Sequence, residues 1–158
     1  MKLNMIVCVA KDNLIGDSNP TGNGLLWHSK EELKYFKDIT SGNVVVFGEN
    51  TAKVVPIELM KKDRDVEVLK LGENTVMSIM KKYTDTGKDI FICGGYGVYK
   101  STLDFYDFDE IYVSKLKEHV EVKHAENPLY FPDLENLGYV KVIEDDQYED
   151  FVACVYKR

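Results

Sequence analysis

The amino-acid sequence predicts an α/β fold: a doubly wound, mostly parallel sheet with a C-terminal antiparallel hairpin at one edge. Two observations predict it. Short apolar runs rich in Val, Ile, Phe and Tyr alternate along the chain with segments of helical periodicity, which is typical of parallel sheets covered by helices. The last two apolar runs are joined by an acidic turn, residues 144–150, which indicates the hairpin. With no internal repeat or linker, the 158 residues are expected to form a single domain over 1–158.

The apolar runs predict the strands of this sheet. They span residues 5–10, 44–47, 66–69, 90–93, 111–113, 139–143 and 151–156. The first four runs are almost continuously hydrophobic, which favours strands covered on both faces of the sheet.

Helices are predicted between these strands. Residues 29–40 and 74–83 repeat their apolar side chains with the period of an α-helix, and residues 96–106 form a shorter candidate after a glycine cluster. Residues 11–28, which contain Gly16, Pro20, Gly22 and Gly24, are expected to be an unstructured loop. Loops of that length in compact domains are usually functional.

The charge balance argues against two classes of partner. Lys and Arg total 20 and Asp and Glu total 27, a net charge of −7 without a basic run. Such a chain is not expected to bind nucleic acid or an anionic membrane surface. The longest apolar run, residues 5–10, is far shorter than the roughly 20 residues of a membrane-spanning helix and is too short for a secretion signal. We therefore expect a cytoplasmic protein.

The cysteines support a reducing compartment. Cys8, Cys93 and Cys154 are odd in number, far apart and each within an apolar run, so they are expected to be buried free thiols. The histidines, His28, His119 and His124, have no zinc-binding spacing to them. No metal site is expected.

A glycine cluster is the first candidate binding site. Gly94, Gly95 and Gly97 follow a predicted strand and precede a predicted helix. Glycines at this place let a phosphate reach the free N–H groups at a helix N-terminus. The dinucleotide fingerprint G-x-G-x-x-G is absent, and a tight strand-to-helix turn without a ligand explains the cluster equally well.

A glutamate in the first predicted helix is the second candidate. Glu31 falls on the polar face and is expected in water, whereas Glu32 falls beside Phe36 and Ile39 at the edge of the apolar stripe. A carboxyl group partly withdrawn from water has a raised pKa and can hold a proton near neutral pH. From spacing alone, Ser29-x-x-Glu32 is better explained as a capping box, in which Glu32 binds the Ser29 backbone N–H.

Trp27 is the third candidate. It is the single tryptophan and lies between the glycine-containing loop and the first predicted helix. An indole at this position either packs against the start of the helix or lines a pocket and donates one hydrogen bond. The pattern does not separate these two roles.

The order of these segments resembles the dihydrofolate reductase family along almost the whole chain. The matching segments are Leu14-Ile15-Gly16 at the expected end of the first strand, Leu25-Leu26-Trp27 with the helix that follows, Gly42 to Gly48 with Thr51, Arg64, Gly94-Gly95 with Val98-Tyr99, Asp109 to Ser114, Tyr130 to Asp133, and Tyr148 with Phe151 near the end. The resemblance implies NADPH-dependent reduction of 7,8-dihydrofolate to tetrahydrofolate. A hydride would go to pteridine C6 and a proton to N5.

The resemblance also implies roles for individual residues. Glu32 would bind the pteridine and favour protonation of N5, and Trp27 would contact the substrate through water. Ser114 would hydrogen-bond the carboxylate, and Arg64 would bind the glutamyl α-carboxylate. The other substrate-binding residues would be Ile6, Val7, Cys8, Leu33, Phe36, Val55, Leu59 and Cys93, with Val7 and Cys93 acting through their carbonyl groups. The cofactor-binding residues would be Ala10, Ile15, Gly16, Leu25, Gly48, Thr51, Lys70, Gly94, Gly95, Tyr96, Gly97, Val98 and Tyr99.

Two departures from the family pattern concern the cofactor. Glu49 stands where the family usually has a basic residue that pairs with the 2′-phosphate of NADPH, and Gly97 stands where an arginine is common. NADH is therefore a possible cofactor beside NADPH. Two alternatives stay open: a non-catalytic nucleotide- or pterin-binding domain of the same fold, and a riboflavin-pathway pyrimidine reductase, although the latter family lacks the Trp27 and Glu32 segment. A monomer is expected.

Overall fold

The computed structural model describes residues 1–18 and 25–158. Pro20, Gly22 and Gly24 of the predicted loop lie outside these residues. In the described part the strands are β1 (Leu3–Val9), β2 (Leu14–Asp17), β3 (Val44–Gly48), β4 (Asp65–Leu69), β5 (Ile90–Ile92), β6 (Glu110–Leu116), β7 (Pro128–Tyr130), β8 (Val140–Asp145) and β9 (Phe151–Lys157), and the helices are α1 (Lys30–Thr40), α2 (Glu49–Ala52), α3 (Ile57–Met60), α4 (Val76–Lys82) and α5 (Tyr96–Phe105).

One sheet of the order β4-β3-β5-β1-β6-β9-β8 organises the chain. Its first five strands are parallel, and β9 and β8 add an antiparallel hairpin at one edge. Phe36 and Ile39 of α1 pack on one face, with Phe47 and Phe91. Helices α4 and α5 cover the other face through an apolar cluster that includes Val76, Ile79 and Leu103. The predicted fold class, doubly wound with a C-terminal hairpin, is therefore confirmed.

Each predicted apolar run overlaps a strand of this sheet, but one expectation about burial was wrong. Residues 66–69 were expected to be covered on both faces, whereas all residues of β4 are only half-buried. The reason is topological, because β4 is an edge strand with β3 as its single neighbour. A continuous apolar run does not distinguish an edge strand from a central one.

The predicted loop 11–28 is partly regular. Lys11–Asn13 form a 3-10 turn, and β2 pairs antiparallel with β7 in a separate two-stranded sheet. Leu14-Ile15-Gly16 therefore belongs to β2, and not to the end of the first strand as expected. Asp12 and Asn13 reverse the chain between the strands with φ angles of 60° and 65°, a conformation that Asp and Asn tolerate better than most residues.

The cysteines are only in part as expected. Cys154 is buried, but Cys8 and Cys93 are partly exposed, since both lie next to the opening in the sheet described below. Among the described residues, no group of three or more His, Cys, Asp and Glu side chains is arranged to hold a metal ion. None of the helices described has the length and apolar character needed to cross a membrane.

Candidate active site

An opening between two parallel strands creates the site. β1 pairs with β5 only from Leu3 to Met5, but its ladder with β6 continues to Val9. Beyond Met5 and Ile92 the two strands β1 and β5 no longer pair. In open α/β sheets, ligands bind at the carboxyl ends of the strands where the strand order reverses, and this opening is such a place. We refer to it below as the slot.

Glu32 lies at the edge of the slot in the first turn of α1, where it is only 9% exposed. Withdrawal from water raises the pKa of its carboxyl group from 4.5 to about 7, and interaction with Ser114 offsets part of that increase. The capping box is only half formed. Ser29 Oγ accepts a hydrogen bond from the Glu32 backbone N–H at 3.1 Å, but the carboxyl group interacts with Ser114 instead.

Ser114 and Cys8 form the floor beneath this carboxyl group. They are directly paired residues on β6 and β1, so their side chains lie side by side on the face that α1 covers. Ser114 Oγ is buried and has no hydrogen-bond partner at ordinary distance within the described residues. Its interaction with Glu32 is therefore longer than a normal hydrogen bond.

Trp27 contacts the same group of residues. Its indole lies near the Cys8 thiol and lowers the pKa of that thiol slightly, while burial and the nearby charge of Glu32 raise it well above its ordinary value. Trp27 is half-buried and adjoins an open depression of about 460 Å³ that is lined also by Leu25, Leu26, His28, Glu121 and Lys123 and does not include Glu32. This depression lies outside the slot, so it does not decide between the two roles left open by the sequence.

Tyr99 closes the inner end of the slot. Its hydroxyl donates to the Ile6 carbonyl at 2.7 Å, and its ring lies close to Cys93 and Gly94. Burial raises the pKa of Tyr99 well above its ordinary value, so it remains a hydrogen-bond donor. The sequence indicated Tyr99 only through the family resemblance, and nothing in the local pattern predicts its contact with β1.

A cradle of close backbone contacts lies on the β5 side of the slot. Gly48 N–H donates to the Gly94 carbonyl at 2.8 Å. A Cβ atom at Gly48 would lie 2.7 Å from Val98 Cγ2, and one at Gly95 would lie 2.7 Å from Thr51 Oγ1. A side chain at either position would therefore force the facing side chain to move. The segments they join are the end of β3, the start of α2 and the N-terminus of α5.

The donors of this cradle fit a nucleotide phosphate. The first N–H groups of a helix have no partners within the helix, and at α5 the N-cap is Gly95, which has no side chain to satisfy them. The Thr51 hydroxyl lies beside them. Such N–H groups at the positive end of a helix dipole bind phosphate. At Gly97 a side chain would meet open space, so the arginine common in the family is missing here without a steric reason.

Arg64, which lies between α3 and β4, packs against α1 further along the helix than Glu32. Its side chain is almost fully buried: Nε is 2.7 Å from Asp63 Oδ1, one terminal nitrogen donates to Thr40 Oγ1 at 3.2 Å, and the guanidinium lies 5.6 Å from the centre of the Phe36 ring. Phe36 is one helical turn beyond Glu32. Glu32 and Arg64 therefore border the same side of α1, and Phe36 lies between them.

The remaining predicted substrate contacts differ in their access to the slot. Leu33 and Leu59 are 52% and 59% exposed, so both offer apolar surface near α1 and α3, and Val55 is half-buried against the cluster that contains Phe36. The side chain of Val7 packs in the core on the opposite face of the sheet. The carbonyl that the structure places at the slot is that of Ile6, which accepts from Tyr99, and the carbonyl role expected for Val7 stays a prediction.

The other predicted cofactor residues lie on separate segments of the fold. The backbone of Ala10 is bonded to Leu14 and Asn13, and Ile15 and Gly16 lie on β2. Leu25 is more than half exposed. Lys70, which follows β4, is 4.0 Å from Glu73. A second depression of about 210 Å³, lined by Asn13, Lys115 and Tyr156 among others, lies beside side chains of the opposite face and does not include Glu32.

An acid held in a slot beside a phosphate cradle is typical of an α/β enzyme that uses a nucleotide. A sequence model of the dihydrofolate reductase family matches residues 2–156, and the chain belongs to this family. A dihydrofolate reductase of Mycoplasma genitalium is 28% identical over 166 aligned residues, covering 97% of this chain and 96% of the relative. One of Bacillus subtilis is 24% identical over 153 residues, 92% of this chain and 83% of the relative.

Family membership confirms the resemblance found in the sequence. As a member of this family, the protein is an oxidoreductase that reduces dihydrofolate. Its substrate is a small molecule, and its cofactor is a nicotinamide nucleotide. A type 9 dihydrofolate reductase of Escherichia coli matches a shorter segment, 41% identical over 54 residues that cover 34% of this chain and 28% of the relative.

Proposed function

We propose that this protein reduces 7,8-dihydrofolate to tetrahydrofolate in the slot, with Glu32 as the acid that favours protonation of pteridine N5. The observation that carries the proposal is the position of Glu32, buried beside the slot with a pKa of about 7. An acid works best when its pKa is near the operating pH. The bound reduced nicotinamide supplies the hydride that goes to C6.

Glu32 binds and orients the pteridine. Its carboxylate accepts hydrogen bonds from the 2-amino group and N3, and Ser114 Oγ holds the carboxylate from below. Trp27 contacts the substrate through water, and Phe36, Leu33, Val55 and Leu59 provide the apolar walls. The protein thereby orients two flat rings and excludes water, which is the main requirement of hydride transfer.

Further contacts on both sides of the slot complete the site. Arg64 binds the glutamyl carboxylate with a planar fork suited to it. The backbone of Ile6, Val7, Cys8 and Cys93 lines the pteridine pocket. Thr51 and the N–H groups of the turn that follows β5 would hold the cofactor pyrophosphate, and the nicotinamide end would be contacted by Ala10, Ile15, Gly16, Leu25 and Tyr99. Because all these residues belong to one chain, we propose that a single domain over 1–158 is active as a monomer.

The charges near the end of β3 favour weak discrimination between NADPH and NADH. Glu49 is exposed directly after Gly48, and Lys70 has Glu73 within 4.0 Å. The chain has two arginines, Arg64 and Arg158. Arg158 binds Asp107 and the Leu137 carbonyl, and Arg64 is buried beside Asp63. We therefore propose NADPH as cofactor, with weaker discrimination against NADH than is usual in the family.

The test is the loss of nicotinamide absorbance when purified protein is mixed with dihydrofolate and either cofactor. We expect turnover with both, and a preference for NADPH well below a thousandfold, which would correspond to about 4 kcal/mol. The matched control is Glu32→Gln, which keeps the size of the side chain but cannot supply the proton. Binding of both ligands without turnover in the wild-type protein would show a non-catalytic domain instead.

A further inference from the structure

The turn between β8 and β9 makes close polar contacts with the start of α1. Asp150 is at the centre of these contacts. Its Oδ2 accepts a hydrogen bond from Ser29 Oγ at 2.6 Å, and its Oδ1 lies 3.1 Å from Nε2 of His119. These two groups lower the pKa of the Asp150 carboxyl group, as expected of a carboxylate that accepts hydrogen bonds.

Glu31 makes the reciprocal contact from the helix to the turn. Its two carboxylate oxygens accept hydrogen bonds from the backbone N–H groups of Asp150 at 2.9 Å and Glu149 at 3.2 Å. Glu31 is half-buried, so the expectation that it lies in water was wrong. Helix periodicity placed Glu31 on the polar face correctly. It could not show that this face is covered by the turn, because the partners of Glu31 are more than 100 residues away in the chain.

Ser29 transmits this contact to Glu32. Its hydroxyl has a single proton, which it donates to Asp150, so its lone pairs are left to accept the Glu32 N–H at 3.1 Å. A hydroxyl that donates to a carboxylate becomes a better acceptor, because successive hydrogen bonds polarise one another. The N-cap of α1, and with it the direction of the Glu32 side chain, therefore depends on where Asp150 holds Ser29.

Aromatic packing and a lysine support the same turn. Tyr148 stacks on Phe151 with ring centres 4.5 Å apart, and both lie within 5.5 Å of Tyr35 on α1. Lys117 Nζ donates to the carbonyl groups of Asp146 and Tyr148. The turn is thus held on both sides, and it can act as a fixed support for the start of the helix.

We propose that Asp150 is a positioning residue of the active site: through Ser29, and with Glu31 in return, it holds the first turn of α1 so that the Glu32 carboxyl group stays in the slot. Asp150 itself has no contact with the pteridine pocket. The effect on catalysis rests on the proposed function, but the effect on Glu32 does not.

The test is the titration of the Glu32 carboxyl group, followed by NMR of carbon-labelled glutamate in the full-length, ligand-free protein and assigned with Glu32→Gln. We expect Asp150→Ala to lower the midpoint by about one pH unit, because a loosened first turn lets water reach the carboxyl group. The titratable neighbours of Glu32 in the described residues are Cys8, Tyr35 and Tyr99. All have pKa values above their ordinary ones, so none ionises where Glu32 titrates.

Two control variants separate position from charge. Asp150→Asn removes the charge but keeps an acceptor for Ser29, and we expect it to keep the wild-type midpoint. Asp146→Ala removes a charge from the same turn, where within the described residues Asp146 contributes only its carbonyl group, and we expect no shift. Equal shifts in Asp150→Ala and Asp150→Asn would overturn the proposal, because they would show an effect of charge alone.

A lower melting temperature of Asp150→Ala with an unchanged midpoint would also overturn it, since the turn would then serve stability only. If Asp150→Ala does not fold, Ser29→Gly removes the same hydrogen bond while keeping an acceptable N-cap. We expect it to lower the titration midpoint of Glu32 by the same amount. In the enzyme assay, the pH profile of kcat should move with the midpoint and KM for dihydrofolate should rise. If the wild-type protein does not reduce dihydrofolate, the proposed function fails, and the titration still decides the role of Asp150.

Discussion

Replacing Glu32 by glutamine should make the protein more stable at alkaline pH while it slows the reaction. Folding raises the pKa of this carboxyl group from 4.5 to about 7, so the native state binds the proton more tightly than the unfolded state. Native stability therefore falls as the pH rises from 4.5 to about 7, and the loss is complete above that range. Glutamine resembles the protonated acid and never ionises, so the variant escapes this loss.

The magnitude follows from the shift. About 2.5 pH units at about 1.4 kcal/mol each correspond to about 3.5 kcal/mol. For a domain of this size, that is a difference in melting temperature of about 7–14 °C. We expect wild type and Glu32→Gln to be about equally stable near pH 4.5 and to differ by this amount at pH 8, with a gradual change between.

The assay is urea or thermal unfolding of both proteins at a series of pH values, beside the rate of dihydrofolate reduction. The control is Glu58→Gln on α3, whose side chain is 89% exposed, and we expect no pH-dependent difference from it. Equal stability of wild type and Glu32→Gln at pH 8, or a difference that does not change with pH, would refute the reasoning that Glu32 is held in an unfavourable environment. Undiminished turnover in Glu32→Gln would refute its catalytic role.

Three further predictions concern the cofactor side and the thiols. Glu49→Lys should raise the preference for NADPH over NADH about tenfold, or about 1.4 kcal/mol, by kcat/KM with each cofactor; the same change at Glu58 should leave the ratio as it was. Gly95→Ala should destabilise the protein by about 1–3 kcal/mol and weaken cofactor binding, because its Cβ would lie 2.7 Å from Thr51 Oγ1. Gly97→Ala, which meets open space, should fold normally, and a similar loss of stability there would contradict the steric explanation. Cys8 should resist alkylation at neutral pH in the native state, since its raised pKa leaves little thiolate, and mass spectrometry of modified peptides should show modification only after unfolding.

The sequence could predict those parts of the fold that depend on local pattern. The alternation of strand and helix predicted the sheet, and the end of the chain predicted the hairpin. The position of Glu32 at the edge of the apolar stripe indicated that its carboxyl group is partly withdrawn from water, but spacing alone favoured the capping box, which the structure shows only half formed. The close contact of Gly48 and Gly95 with side chains of α5 and α2 could not be predicted, since it depends on how three segments meet.

The pairing of β2 with β7 and the role of Asp150 were also missed, because local sequence pattern does not show contacts between distant segments. β2 and β7 are short, and one contains Gly16 while the other begins with Pro128, so neither has a strand pattern of its own. They form because each satisfies the backbone of the other across more than 100 residues. Asp150 was likewise indistinguishable from the other acids of its turn. Only the fold shows that it alone binds Ser29 among the described residues of that turn.

The raised pKa of Glu32 and the contacts between the β8–β9 turn and the start of α1 are connected. A carboxyl group held at a raised pKa destabilises the native state once it ionises, so above pH 7 the helix start would gain by turning Glu32 toward water. The hydrogen bond from the Glu32 N–H to Ser29 does not by itself prevent this, because it does not include the Glu32 side chain. The contacts of Ser29 with Asp150, and of Glu31 with the backbone of the same turn, hold the helix start from the opposite side. If this is correct, the stability difference between wild type and Glu32→Gln at pH 8 should shrink in the Asp150→Ala background, since a loosened first turn lets the ionised carboxylate reach water. A double-mutant cycle of these two residues measures that coupling directly, and additive effects would show that the turn does not hold Glu32 in place.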